Sequence, residues 1–277
     1  MKKIKILLLL SAIVLVLTGC FEVETNIKLK KNGSGTMEET VLFSQMMMMQ
    51  MAQMGQAFGG EEEETNKNPM YDVEKLKAEA ADKGEGVTYA SSEAIQRNGK
   101  SGYKVIYNFN DINTLKYSSD PSKKMNMPSM GMGDEEPEEF VRFQYTKGNL
   151  TINFPEEEDD DSDEYSDGDT EEFDQEEVDD DVNEMAGMDE MMKQMFTDMK
   201  FKTTIEFEGG IKKTNATFVE GNKITLMEMD FNKVMEDAES FKTLGTLQNA
   251  TPAQQKEAMK DLPGIKFEIE EKVNVKF

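Results

Sequence analysis

The stretch FEVETNIKLKKNGSGTMEETVLF, residues 21–43, decides the fold. Apolar or β-branched residues take every second position of its first part: Val23, Thr25, Ile27 and Leu29. After a turn at residues 31–35, the chain returns with Val41 and Phe43 on one side. Asn32-Gly33 is a strong signal for a β-hairpin, because both residue types tolerate positive φ. The sequence therefore predicts a hairpin directly after residue 20.

Similar patterns recur along the chain, separated by turns that contain glycine. They predict further strands at residues 87–95, 102–110, 140–145, 150–154, 201–208, 212–219, 222–231 and 265–277. Helices are predicted at residues 44–58, from Pro69 to about Gly84, at 182–200, and after the capping sequence Thr251-Pro252-Ala253-Gln254. This order predicts an α+β fold, in which antiparallel hairpins and a meander pack with a few amphipathic helices.

Acidic and irregular stretches interrupt this pattern. Residues 59–68 and 118–139 read as loop inserts, the second because of its scattered proline, methionine and glycine. Residues 156–181 contain 18 acidic residues among 26 and no basic one. Such a segment repels itself and has almost no apolar surface to bury, so we expect it to be disordered.

The amino terminus carries a targeting signal. Lys2, Lys3 and Lys5 precede an apolar run, residues 6–17, that is too short to span a bilayer comfortably. The run ends in Leu17-Thr18-Gly19-Cys20, which resembles the bacterial lipobox. In such sequences the cysteine sulfur receives a diacylglycerol, the segment before it is removed, and the new amino terminus is acylated with a fatty acid such as palmitate. The resemblance implies lipidation of Cys20.

A lipid anchor predicts where the protein works. Each buried methylene contributes about 0.8 kcal/mol, so two or more acyl chains hold a protein stably on a membrane. We therefore expect a membrane-anchored lipoprotein of the bacterial cell envelope, outside the cytoplasm. Phe21 stands where enteric lipoproteins kept at the inner membrane have aspartate, which favours the outer membrane if the host has one. With Cys20 lipidated, no thiol is left for a disulfide.

These signals divide the chain into five parts. Residues 1–19 form the signal peptide, and residues 20–155 form the first part of the α+β domain. Residues 156–181 are the acidic insert, residues 182–235 complete the domain, and residues 236–277 supply a C-terminal helix and strand.

Charge and composition exclude several classes of function. The net charge of −25 becomes −28 once the three lysines of residues 1–19 are removed, so we expect no binding to nucleic acid. The chain has no histidine, and its one cysteine is assigned to lipid, so histidine-based or thiol catalysis has no residues to use. No nucleophile elbow or phosphate-binding loop occurs. We expect a protein that is not an enzyme and has no cofactor.

Methionine is the most unusual residue, with 23 copies in clusters. Its flexible thioether suits adaptable apolar surfaces. Residues 46–49 are four successive methionines, which surround a helix and cannot all be buried on one face. The candidate surface for a lipid ligand or an envelope protein partner is therefore Met46, Met47, Met48, Met49, Met51, Met54, Met188, Met192 and Met195. The simpler interpretation is that the methionines of residues 185–199 form the buried stripe of a helix.

Two alternative functions stay open. Thioethers favour Cu(I), and one proline- and glycine-containing segment could place several sulfurs around one ion: Met125, Met127, Met130 and Met132. This would make the chain a soft-metal (copper) binding protein of the periplasm or cell surface. The other alternative is a structural or assembly role, with Met46 to Met54 as a docking surface.

Several turns and short runs of the sequence resemble those of a known protein family. They are Asn32-Gly33-Ser34-Gly35 with Thr36 and Glu38, the run Phe207-Glu208-Gly209-Gly210-Ile211, Asn215-Ala216, and Glu220-Gly221-Asn222-Lys223-Ile224. Together they resemble the LppM-type lipoprotein domain, first recognised among mycobacterial envelope proteins, over residues 22–110 and 138–232. The resemblance implies an α+β envelope domain that binds lipid or another partner, with no catalytic residues. Where family members often have tryptophan and a C-terminal membrane helix, this chain has Leu226 and Met227 and ends in Val275-Lys276-Phe277.

Overall fold

The protein is mainly β-sheet. The computed structural model describes residues 21–49, 71–118, 140–155, 197–237, 239–240, 243, 258, 260 and 262–277. Strands make up 52% of these residues and helices 15%. The predicted α+β class, with amphipathic helices packed on antiparallel sheet, is therefore wrong for the described part of the chain. The strands associate mainly with one another, and the described helices are short.

The described residues form twelve strands and a few helical segments. The strands are β1 (Phe21–Leu29), β2 (Gly35–Ser44), β3 (Thr88–Arg97), β4 (Lys100–Phe109), β5 (Arg142–Thr146), β6 (Asn149–Asn153), β7 (Lys200–Phe207), β8 (Lys213–Thr214), β9 (Val219–Glu220), β10 (Lys223–Asp230), β11 (Ile265–Phe267) and β12 (Lys272–Lys276). The α-helices are α1 (Val73–Ala78) and α2 (Phe231–Glu236), with a 3-10 turn at Ile112–Thr114. Residues 45–49 are also helical.

The strands form two sheets. The large sheet has the order β11-β10-β7-β1-β2-β4-β3, with β9 paired to β10, and the small sheet has the order β5-β6-β12-β8. β1 and β7 run parallel, in register from Glu22 opposite Lys200 to Leu29 opposite Phe207. The other pairs of named strands are antiparallel. The large sheet is therefore mixed, which corrects the prediction of purely antiparallel pairing.

The predicted hairpins are confirmed. β1 and β2 pair from Phe21 opposite Phe43 to Leu29 opposite Gly35. In the turn between them, Gly33 has φ +88°, and a Cβ there would lie 2.6 Å from the Tyr145 ring. The β3–β4 turn has Asn98 and Gly99 at φ 53° and 75°, the left-handed pair that tight hairpins prefer. Local sequence signals thus fix each of these turns.

The main core joins both sheets. Ile27, Val105 and Phe109 of the large sheet belong to the same buried cluster as Ile152 and Val273 of the small sheet. Helix α1 adds Leu76 to this cluster.

Asp72 caps the first turn of α1. Its carboxylate accepts hydrogen bonds from the backbone N–H groups of Glu74 and Lys75. The helix predicted from Pro69 therefore starts later, at Val73.

Several predicted elements differ from the structure near the C-terminal half. Residues 197–198 form a turn and β7 starts at Lys200, so the predicted helix 182–200 is wrong at its described end. The strand predicted at 212–219 is reduced to β8 and β9, of two residues each. The strand predicted at 265–277 divides into β11 and β12, which belong to different sheets. The capping sequence at 251–254 lies outside the described residues.

Candidate functional site

A second apolar cluster lies at the end of the large sheet where β1 begins, and we call it the Phe21 cluster. Its buried members are Phe21, Val23, Val41, Phe43, Met47, Met199, Phe201, Met227 and Phe231. The ring of Phe21 lies 5.0 Å from that of Phe43 and 5.8 Å from that of Phe201, measured between ring centroids. Such aromatic pairs stabilise packing beyond their buried area. The cluster is thus a separate aromatic and methionine core at one sheet end.

The Phe21 cluster and the main core share one face of the large sheet. Alternation along β1 puts Phe21 and Val23 on the same side as Ile27 and Leu29. Phe21 and Val23 belong to the Phe21 cluster, whereas Ile27 and Leu29 belong to the main core. Thr25 lies between the two pairs and is itself buried. The apolar face is therefore divided into two cores.

The division is made by polar side chains, which we call the polar band: Thr25, Thr203 and Glu39. Thr25 lies opposite Thr203 on β7 and opposite Glu39 on β2. The buried hydroxyl of Tyr117 donates a hydrogen bond of 2.7 Å to Oγ1 of Thr203. Buried polar groups need such partners, so the band has its own hydrogen-bonded structure.

An ion pair belongs to the polar band. Nζ of Lys83, just after α1, lies 2.9 Å from Oε2 of Glu39, and the two side chains are 26% and 12% exposed. Burial opposes the charged amine, but the carboxylates of Glu39, Glu79 and Asp82 together outweigh it and raise the pKa of Lys83. Burial, with the charges of Glu39 and Glu79, also raises the pKa of the Tyr103 hydroxyl, so the tyrosine is neutral at ordinary pH. The band can therefore offer charged and hydroxyl groups beside an apolar core.

The four successive methionines start at the Phe21 cluster. Ser44 is the last residue of β2, and its hydroxyl accepts a 3.1 Å hydrogen bond from the backbone N–H of Met47. Met47 is buried in the cluster and Met48 packs against it, whereas Met46 and Met49 are 49% and 53% exposed. Residues three apart lie on one side of a helix, so the two exposed side chains form one outward stripe. The segment divides into an inner and an outer pair.

Most other predicted site residues lie outside the described part of the chain. These are Cys20, Met51, Met54, Met188, Met192, Met195, Met125, Met127, Met130 and Met132. Their roles in lipidation, ligand binding and copper binding stay predictions. Among the residues that the structure describes, no three His, Cys, Asp or Glu side chains come together in a way that could hold a metal ion.

Sequence reasoning missed the aromatic half of the cluster. Phe21, Phe43 and Phe201 come from strand ends that are distant in sequence, and Phe231 comes from the first position of α2. The one available signal is a phenylalanine at, or next to, one end of each of these strands. Strand pairing alone brings them together.

The opposite face of the large sheet is charged and well paired. Glu22 and Glu24 of β1 both contact the guanidinium of Arg97. Glu228 lies 3.1 Å from Nζ of Lys202 and 3.3 Å from Nζ of Lys266. Burial opposes the charge of Glu228, but the two lysines outweigh it and lower the pKa of its carboxyl group. Glu22 and Glu228 are largely buried on this face, and the neighbouring basic side chains balance their charges.

Comparison with known proteins gives a distant likeness. No family model matches the sequence, and no curated protein does. A solved structure that is similar is the NMR structure of the folded domain of LppM from Mycobacterium tuberculosis. The similarity covers 78% of this chain and 86% of that chain, at 9% sequence identity and a TM-score of 0.34. The prediction of an LppM-like domain is supported only as this distant structural likeness. Within the described residues, no helix has the length and hydropathy needed to cross a membrane.

Proposed function

We propose that this chain is a lipid-anchored, non-enzymatic protein of the bacterial envelope that binds a lipid or another apolar ligand at the Phe21 cluster. The observation that supports this most is a separate core of phenylalanine and methionine directly after Cys20 in the sequence. Acyl chains suit such a surface, because phenylalanine offers a large apolar area and methionine adapts its shape.

The rim of the Phe21 cluster supports ligand entry. The Phe21 cluster is bordered by partly buried methionines: Met48, Met229 and Met235. Methionine is unbranched, so its side chain can move between rotamers without a large change in packing. Movement of these three side chains could open the cluster to an acyl chain. The polar band would then lie at the inner end of the bound chain.

Lipid binding is tested with the Cys20→Ser protein expressed without residues 1–19. The protein is incubated with phosphatidylcholine vesicles, separated from them, and extracted for mass spectrometry. We expect about one lipid per protein, and at least fivefold less for a Met48→Gln/Met229→Gln variant. Val219→Gln is the matched control, because Val219 is an exposed apolar residue outside the cluster. Recovery of no lipid from the parent protein contradicts ligand binding.

Anchoring is tested separately, in cells. Cys20→Ser in the full chain should leave the protein unprocessed and without its lipid. After carbonate washing and flotation, the parent chain should stay with the membrane. Metabolic labelling with a fatty acid analogue should label the parent chain but not the Cys20→Ser variant. A trimmed Cys20→Ser protein that still floats would show that Cys20 is not the anchor.

A further inference from the structure

We infer that the Phe21 end of the large sheet rests on the bilayer surface, with Met46 and Met49 as the side chains that enter its interfacial layer. The partner is the phospholipid bilayer itself. The inference rests on the lipid anchor of the proposed function and does not depend on ligand binding at the Phe21 cluster.

The first step is the absence of any tether between the predicted anchor and the sheet. Cys20 immediately precedes Phe21, and Phe21 is the first residue of β1. One residue of extended chain spans at most about 3.6 Å. A lipid on Cys20 therefore holds the start of β1 next to the head groups, so that the sheet cannot turn a different end to the membrane.

The second step is that residues 45–49 lie at this same end. Phe43 pairs directly with Phe21, and Ser44, the next residue, ends β2. Met47 then returns to pack in the Phe21 cluster, which holds the helical turn against the start of β1. Met46 is three positions after Phe43, so their Cα atoms are on the order of 10 Å apart or less. Met46 and Met49 are thus within reach of a membrane that carries the anchor.

The third step is the exposure of these two side chains. Met46 and Met49 are 49% and 53% exposed, while Met47 between them is 8% exposed. An apolar stripe next to an acyl anchor gains free energy by entering the boundary between head groups and acyl chains, where amphipathic helices lie about 5–10 Å deep. Exposure to water at this position gives no such gain.

Charge at this end allows the contact. The processed chain, of net charge −28, would be repelled by anionic head groups but not by zwitterionic ones. Glu22, the acidic residue closest to Cys20 in the sequence, is neutralised by Arg97 and lies 3.9 Å from Nζ of Lys100. Nζ of Lys100 also donates a hydrogen bond to the backbone carbonyl of Asp198. Glu22 therefore has basic groups beside it that balance its charge.

The chain is well suited to a direct test, because Cys20 is its single cysteine and its sulfur is blocked after lipidation. Met46→Cys and Met49→Cys each introduce one free thiol for an environment-sensitive fluorophore. Val219→Cys is the matched control, since Val219 is 43% exposed. Val219 pairs with Ile224, which lies level with Ile205 and Ile27. Six residues of strand, or roughly 20 Å, separate that level from Phe21.

The lipidated variants are reconstituted in phosphatidylcholine vesicles with or without a lipid that carries a quencher near the head group. We expect quenching at residues 46 and 49 at least threefold above that at residue 219, with a blue shift at residues 46 and 49 only. Equal quenching at all three positions in protein that floats with the vesicles would overturn the orientation and leave the anchor intact. Protein that does not float would overturn the anchor and the orientation together. Lipid uptake by the unlipidated protein reports independently on the Phe21 cluster.

Discussion

Gly102 shows how one residue controls the packing of the large sheet. A Cβ at Gly102 would lie 1.9 Å from the backbone oxygen of Val41, and a strand carbonyl cannot move away cheaply. We expect Gly102→Ala to lower the free energy of unfolding by about 3 kcal/mol, the upper part of the usual range for overpacking. Gly86→Ala is the control, because Gly86 has φ +76° but open space around it, so that only backbone strain of about 1–2 kcal/mol is added. Urea denaturation of both variants measures the difference, and equal losses would contradict the clash.

Glu228 should make the free energy of unfolding depend on pH. Lys202 and Lys266 lower the folded-state pKa of its carboxyl group below the ordinary value of 4.5. A carboxyl group with a lowered pKa stabilises the folded state above the unfolded-state pKa, and this contribution is lost as pH falls through the folded-state value. We therefore expect the stability advantage of the parent over Glu228→Gln to be constant from pH 7 to about 5 and to shrink at lower pH. Urea unfolding across pH 3 to 7 measures it, and a Lys202→Met background should reduce the effect.

At the scale of elements, local pairing could be predicted and distant pairing could not. The hairpins β1–β2, β3–β4 and β5–β6 have short turns, and two of those turns carry a residue with positive φ followed by glycine at positive φ. The parallel pair β1–β7 joins segments separated by residues 30–199, so nothing local indicates it. The alternation of apolar and polar residues along a strand does not show whether the neighbouring strand runs parallel or antiparallel to it.

The division of residues 265–277 has a local cause that the sequence hid. Apolar residues occupy alternate positions in both β11 and β12, so residues 265–277 have the pattern of one long strand. The buried carboxylate of Glu268 instead accepts hydrogen bonds from the backbone N–H and the hydroxyl of Thr217. These bonds tie the segment between β11 and β12 to Thr217, and nothing in the alternation of residues 265–277 indicates a buried glutamate there.

The candidate site was half predictable for a similar reason. The methionine run 46–49 is too apolar for one buried face, and the exposure of Met46 and Met49 agrees with that expectation. Which methionines point inward depends on Ser44 as the helix cap and on the aromatic partners that strand pairing supplies. Those partners cannot be read from the run itself.

The strand β12 tests how the two sheets depend on one another. Val273, Val275 and Phe277 are 0%, 2% and 4% exposed, and they pack in the main core with residues of the large sheet. Burial of each stabilises the fold by about 1.5–3 kcal/mol, a sum close to the 5–15 kcal/mol net stability of an ordinary domain. We expect truncation after Glu271 to abolish cooperative thermal unfolding measured by circular dichroism.

A matched control for that truncation lies in the same strand. Lys272 and Lys276 point away from the core and are exposed. Threonine suits a strand, so Lys272→Thr/Lys276→Thr should unfold within a few degrees of the parent. A truncated protein that unfolds as cooperatively as this variant would show that the large sheet holds its structure without the small one.

At the scale of the whole molecule, the described core is assembled from strands on both sides of the acidic tract, residues 156–181. β6 ends before the tract and β7 starts after it, yet β7 pairs with β1 and β6 pairs with β12. The sequence predicts that the tract buries nothing, and the cost of closing a loop grows only slowly with its length. Replacement of residues 157–181 by ten Gly/Ser residues should therefore change the free energy of unfolding by about 1 kcal/mol or less.

Solution charge should change far more than stability in this variant. The replacement removes 17 of the 18 acidic residues of the tract and takes the formal net charge of the chain from −25 to −8, since −25 + 17 = −8. We expect urea midpoints at 150 mM salt to stay close to those of the parent, while the isoelectric point rises clearly. A scrambled tract of the same composition is the control, because it keeps the charge but not the order. A loss of several kcal/mol in the shortened variant, with the scrambled one unchanged, would mean that the length or charge of the tract supports the sheet and that the tract is part of the fold.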